Sequence, residues 1–247
     1  MSRRAVPKAN PAARSAQGSP VTKLRSLADA VSAVADGSSI MVGGFGSPGT
    51  PFSILGELIR QGKRDLVIIK NDANQDGYGV SRLIESGAVR KLIATHIGLS
   101  GAARRAFNAG TLEVEFVSQG LFAERIRCAG VGLPAVLTDI EVPAELGLQR
   151  TSVEYRGRQL FVEPALGADY AFVTGHLADR NGNLRHHGTA RNFSTLMAMA
   201  AERVIAEVYQ LADGSLAPDE IHTPGLFVHA LVTVQRSDCD EYRPIQR

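Results

Sequence analysis

The feature that most constrains this chain is a repeated exchange between two periodicities. Short apolar runs at Ser39 to Val42, Leu66 to Ile69 and Leu92 to Ala94 alternate with stretches whose apolar residues recur at helical spacing. Strand, helix, strand in this order calls for a parallel sheet with helices on its faces. The first helical stretch lines up Leu24, Leu27, Ala28, Val31 and Val34 and ends at Asp36-Gly37. The second opens with Thr50 as cap and Pro51 as first helical residue, lines up Ile54, Leu55, Leu58 and Ile59, and stops at Gly62. Val80 to Ser86 and Ala102 to Ala109 supply two more helices. Leu112, Val114 and Phe116 alternate with Glu113 and Glu115, as in a strand with one wet face, and Phe122 to Cys128 is again helical.

The rhythm breaks once. Val153 to Tyr155 and Gln159 to Val162 flank Arg156-Gly157-Arg158, which reads as a β-hairpin. Alternation then resumes with a strand at Ala171 to Thr174, a helix at Phe193 to Glu202, a strand at Val204 to Val208 and a last strand near Phe227 to Val232. The expected fold is therefore α/β: an open, mostly parallel sheet flanked by helices, with an inserted β-hairpin. Residues 21–236 read as a single α/β domain, and 237–247 as a C-terminal tail. Residues 1–20 hold Arg3, Arg4, Lys8 and Arg14 and no acid, a composition shared with transit peptides. Pro7, Pro11 and Pro20 interrupt any helix there, so the stretch reads as a disordered basic tail.

A net charge of +2 is too small to point to nucleic acid. No apolar run approaches the ~18 residues of a membrane span. Cys128 and Cys239 stand far apart and match no metal spacing, which fits two plain thiols in a reducing compartment and a cytoplasmic location.

Three segments follow strands and so fall where open α/β sheets bind ligands. Gly43-Gly44-Phe45-Gly46-Ser47-Pro48-Gly49 joins the first strand to a helix start, where backbone N–H groups favour an anion. It is either a tight turn or a cradle for a phosphorylated ligand; it is neither G-x-G-x-x-G nor a Walker loop. "NDANQDGYG", from Asn71 to Gly79, is rich in side-chain amides, which form turns as readily as they bind ligands. Gln119 follows the strand ending near Phe116, as an oxyanion donor or an ordinary loop residue. His186-His187 has poor geometry for one metal, because neighbours on a strand point to opposite faces. His96 follows a strand and reads as structural or solvated. Glu85-Ser86-Gly87 presents a glutamate, yet at a helix end where Gly87 is the stop signal. The chain thus has a ligand cradle without a nucleophile or base, which suggests half of an active site.

Taken together these residues resemble the alpha subunit of the family I CoA-transferases of the 3-oxoacid type, over about Lys23 to Val234. "GGFGSPGTP" resembles the glycine-rich CoA-binding stretch and "NDANQDGYG" the Asn-rich loop after the second strand. "IATHIG" and "LEVEFVSQGLFAERIRCAGVGLPA" resemble a family block around P-Q-G-x-x-x-E-x-I-R. "ADRNGNL", "TARNF" and "LAPDEIHTPGLFV" resemble three later motifs in the right order. The resemblance implies transfer of CoA between carboxylic acids through a glutamyl-CoA thioester. It implies that the glutamate resides on a separate CoA-transferase beta subunit, in an α2β2 heterotetramer, with coenzyme A or acyl-CoA as substrate and no metal or tightly bound cofactor. It makes Gln119 the thioester oxyanion donor, Gly43 to Gly49 the CoA cradle and Asn71 a substrate-side residue; Arg191 and Asn192 fall in a family motif, either binding ligand or, as the preferred reading, bracing the fold. A valine at Gly44 is then expected to exclude the ligand while leaving the fold mostly intact. Two departures stand out: Ser118 replaces the proline of P-Q-G, and "VLTDIEVPAELG", Val136 to Gly147, replaces a glycine-rich family segment with one carrying Asp139, Glu141 and Glu145. The competing readings are a non-catalytic CoA or phosphometabolite sensor on the same fold, and a thioester hydrolase using Glu85.

Overall fold

The computed structural model describes residues 22–140 and 150–235. The basic N-terminal tail, the C-terminal tail with Cys239, and the part of the Val136–Gly147 segment beyond Ile140 lie outside the described residues. In chain order the elements are α1 (Leu27–Ser32), β1 (Ser39–Val42), α2 (Phe52–Arg60), β2 (Leu66–Ile69), α3 (Gly79–Glu85), β3 (Val89–Ala94), α4 (Gly101–Asn108), β4 (Glu113–Phe116) and α5 (Gln119–Gly130). Then come β5 (Ala135–Thr138), β6 (Ser152–Tyr155), β7 (Arg158–Pro164), β8 (Ala168–Ala178), β9 (Leu184–Arg185), α6 (Ser194–Ala200), β10 (Ala201–Leu211) and β11 (Ala230–Thr233).

The main sheet runs β11-β10-β8-β1-β2-β3-β4 with every neighbour parallel, and β9 pairs antiparallel with β8. The inner strands β1 and β2 read as continuous apolar runs because both faces are covered, whereas edge strand β4 alternates glutamates with apolar residues. Successive side chains point to opposite faces, so Ile40 and Val42 enter one apolar layer and Met41 the other; Ile68 and Ile69 divide in the same way, as do Phe172 and Val173. Helices α1 to α4 fill the first layer through Val31, Leu58, Leu83 and Ala103, and α5 and α6 fill the second through Phe122, Ile126 and Met197. Ile54, Leu55 and Leu58 make the buried face of α2, each contributing about 2 kcal/mol by leaving water.

The expected hairpin is β6 and β7, joined through Arg156 and Gly157 at φ 53° and 72°, the left-handed pair of a type I′ turn. It is part of more than a hairpin: β5 pairs antiparallel with β7, making a separate three-stranded sheet β5-β7-β6. Arg125 ties this sheet to α5, its Nε donating to the Pro164 carbonyl at 2.9 Å.

Three boundaries differ from the sequence expectation. Thr50 does not cap α2: its hydroxyl donates backward to the Gly46 carbonyl at 2.7 Å, and Pro51 is the cap residue. The buried Glu207 of β10 takes the capping role from across the sheet, accepting from Ile54 N at 3.1 Å. The helix expected to reach Glu202 stops at Ala200, because Ala201 and Glu202 already belong to β10, which pairs from Ala201 with Ala168 of β8. The last strand begins at Ala230, after a single 3-10 turn over Gly225–Phe227.

Candidate active site

Parallel pairing brings the carboxyl ends of β1, β2, β3 and β4 to one edge of the sheet, and each of the three expected segments leaves from that edge. Gly43 extends the ladder of β1, its N–H donating to Phe172 O at 2.8 Å. The chain then turns sharply, with Phe45 N donating to Pro48 O at 3.0 Å. Gly44 holds φ 79°, and a Cβ there would overlap Pro48 O. A Cβ on Gly49 would lie 2.5 Å from Ala190 O, and one on Gly43 would lie 2.8 Å from Ser194 Oγ. What crowds these three glycines is the chain's own backbone and Ser194. This corrects the expectation for a valine at Gly44, which would break the turn before any ligand arrived. Gly46 is different: at φ 60° its Cβ position meets nothing nearer than Asp72 Oδ2 at 3.8 Å.

The Gly46 carbonyl is the anchor of the loop. It accepts from Thr50 Oγ1 at 2.7 Å, from Asn74 Nδ2 at 2.9 Å and from Lys70 Nζ at 3.1 Å. Lys70 is fully buried and closes the apolar run of β2. Burial pulls its pKa from the ordinary 10.5 down to about 8, against the opposing charge of Asp72, whose Oδ1 lies 3.7 Å away. Sequence reasoning passed over Lys70, although a lysine ending "LVII" directly ahead of an amide-rich loop was the available signal.

Asn71 is fully buried beside it. Its Oδ1 accepts from Gly46 N and from Lys70 Nζ, each at 3.4 Å, and its Nδ2 has no partner among the described residues. Asn74 takes the left-handed conformation, φ 57°, which asparagine tolerates. Its amide bridges two elements, donating to Gly46 O and accepting from Val80 N at 3.0 Å near the start of α3. Gln75 to Tyr78 are exposed. Asp76 accepts from Ala102 N at 2.9 Å, the main cause that holds its carboxyl below the usual range. The Asn-rich stretch is therefore a turn at its core, with an exposed tip.

Gln119 follows β4, which ends at Phe116 as expected, and is the exposed first residue of α5. An aromatic chain connects its helix to the glycine loop. Phe45, 41 % exposed, stacks on Phe193 with centroids 6.3 Å apart, and Phe193 meets Phe122 of α5 edge-on at 5.3 Å. Arg191 and Asn192 are exposed; Asn192 N donates to Thr189 O at 3.2 Å, and the neighbouring Ala190 carbonyl accepts from Ser194 Oγ at 3.2 Å.

Other candidates fall outside this site. Glu85 is the last residue of α3, with Gly87 at φ 75° just beyond, and its Oε1 accepts from Gly77 N at 3.3 Å. His96 is exposed and Cys128 is buried in α5. His186 lies buried between Thr174 and Thr223. Among the described residues no three His, Cys, Asp or Glu side chains gather as a metal site, and no helix is long and apolar enough to cross a membrane.

The coenzyme A transferase family model matches residues 24–233. The alpha subunit of a probable coenzyme A transferase of Bacillus subtilis (strain 168) is 41% identical over 215 residues, covering 86% of this chain and 94% of the relative. A 3-oxoadipate CoA-transferase chain of Pseudomonas putida is 41% identical over 212 residues, covering 85% and 92%. Among solved structures, a variant of the decarboxylase AibA/AibB superposes with a TM-score of 0.75 at 29% identity, covering 90% of this chain and 89% of that one.

Proposed function

The chain belongs to the coenzyme A transferase family, and from that premise we propose that it is the alpha subunit of a cytoplasmic CoA-transferase acting on a (3-oxo)carboxylic acid. In this reading the CoA thioester lies along the loop from Gly43 to Gly49, and Gln119 donates its amide N–H to the developing oxyanion of the thioester carbonyl. A separate beta subunit supplies the glutamate that attacks that carbonyl, within an α2β2 assembly. CoA enters as substrate, and no metal or bound prosthetic group takes part. Asn71 acts from beneath, holding Gly46 through its Oδ1.

The observation that carries the proposal is an exposed amide with no free carboxylate beside it. Gln119 projects from the carboxyl edge of the sheet with no side-chain partner among the described residues, while the carboxylates of the adjoining loops are already engaged. Asp72 is buried beside Lys70, Asp76 caps α4, and Glu85 is tied to the Gly77 N–H. A donor without a nucleophile is what one member of a two-chain site presents.

The test is purification from the native source with its companion chains, followed by CoA-transfer assays over short and 3-oxo acids. The expected result is a second chain of similar size and transfer activity only when both are present. A chain that purifies alone and still binds CoA esters would overturn the two-chain reading. The likeness to a decarboxylase gives the assay a second arm: loss of carbon dioxide from an acyl-CoA, in place of transfer, would move the chain to that chemistry on the same fold.

A further inference from the structure

Lys70 has no step in thioester transfer, yet a lysine buried at the edge of the site is costly unless its charge is used. Its surroundings define the use. The Gly46 carbonyl is drawn inward by three donors, from Thr50, Asn74 and Lys70. In a trans peptide the C=O and the following N–H point in opposite directions. Fixing the Gly46 carbonyl inward therefore turns the Ser47 N–H outward, away from the buried cluster. That N–H makes no hydrogen bond among the described residues, and it sits beside Gly46, whose Cβ position is uncrowded, with Asp72 Oδ2 nearest at 3.8 Å.

We propose that Lys70 is a positioning residue: its ammonium, held between the Asp72 carboxylate and the Gly46 carbonyl, sets the Gly46–Ser47 peptide so that the Ser47 N–H meets an oxygen of the coenzyme A moiety. The proposal rests on the reading of this loop as the CoA cradle. Thr50 and Asn74 are neutral donors, and Asp72 is the one charged group that acts on Lys70 among the described residues. The charged tether is therefore the part of the anchor that a proton controls. A neutral amine keeps its lone pair, loses the attraction of Asp72 and gives up one donor. Above about pH 8 the peptide is held less firmly, and a ligand that needs it fixed must draw a proton onto Lys70 as it binds.

The probe is desulfo-coenzyme A, which lacks the titrating thiol, bound to the protein together with the chains that purify with it. Calorimetry in buffers of different ionisation enthalpy reads both affinity and proton uptake. The expected result is affinity falling about tenfold between about pH 8 and about pH 9.5, with proton uptake on binding over the same range. The double variant Lys70→Met, Asp72→Asn leaves no lone buried carboxylate. It is expected to melt cooperatively, to bind about tenfold more weakly at neutral pH and to lose the pH dependence. A folded double variant that binds like the wild type, or more weakly with the pH dependence intact, would overturn the proposal. Absence of proton uptake in the wild type would overturn it without any variant. Binding with this signature but no transfer to any acid would sink the transferase reading and leave Lys70 standing. No binding of desulfo-coenzyme A at all would sink both.

Discussion

His186 Nδ1 lies 2.8 Å from the carbonyl oxygen of Thr174. A carbonyl only accepts, so Nδ1 carries the proton and Nε2, 2.9 Å from Thr223 Oγ1, is the acceptor. The ring is complete in its neutral form. Burial pulls its pKa down to about 4 from the ordinary 6.5, assisted by the charge of Arg191. The folded state thus resists a proton that the unfolded chain accepts. This contribution to stability is intact above about pH 6.5 and is lost as pH falls toward about 4, in total on the order of 3 kcal/mol. Urea unfolding at several pH values across that window should show His186→Gln losing less stability on acidification than the wild type. Parallel curves would remove His186 as the cause.

Lys70 works in the opposite range. Its folded pKa, about 8, lies below the ordinary 10.5, so the cost of burying the charge is present below about pH 8 and is relieved as pH rises toward 10.5. Relative to Lys70→Met, the wild type should gain on the order of 3 kcal/mol across that interval. The comparison is by chemical denaturation of both proteins at each pH. A constant difference would mean that Lys70 stays charged throughout.

The glycine loop gives a contrast between two neighbours. Gly44→Ala forces a Cβ against Pro48 O, and should cost more than about 2 kcal/mol or abolish folding. Gly46→Ala makes only an ordinary contact with Asp72 Oδ2 at 3.8 Å, and should cost about 1 kcal/mol for its left-handed φ. Thermal melts of the two variants decide the order. Equal losses would mean that the Gly44 turn is not closed as described.

Gln119 is exposed and its side chain has no hydrogen-bond partner among the described residues, so Gln119→Ala should melt like the wild type. If its amide serves the oxyanion, kcat should fall about a hundredfold, with a smaller change in KM. A rise in KM alone would assign it to substrate binding.

The parallel, two-faced sheet was legible because apolar runs such as Ile40 and Met41 divide their residues between two layers, whereas the order of its strands was not. Arg156-Gly157 was legible as a hairpin turn from local chemistry alone. Strand β5 was not, since its partner β7 lies beyond a long intervening segment and no local pattern announces the pairing. The glycines near Phe45 were legible as a tight approach. Their neighbour was not: Gly49 is crowded by Ala190, far along the chain, and sequence does not distinguish a distant backbone from a ligand. Lys70 was missed because a charge after a strand ordinarily means solvent, whereas here the loops fold over it. Asp179 of the stretch "ADRNGNL" ties two loop segments: its carboxylate accepts from Asn181 N and Asn183 N of its own turn and from the distant Leu216 N.

The rings of Phe45, Phe193 and Phe122 form a spacer between the loop and the helix that begins at Gln119. A spacer of packed rings, one pair stacked and one edge-on, carries no charge for salt or pH to act on. If the CoA thioester runs from this loop to the Gln119 amide, as proposed, it passes along these rings, and the length of its path is then set by hydrocarbon packing rather than by charge.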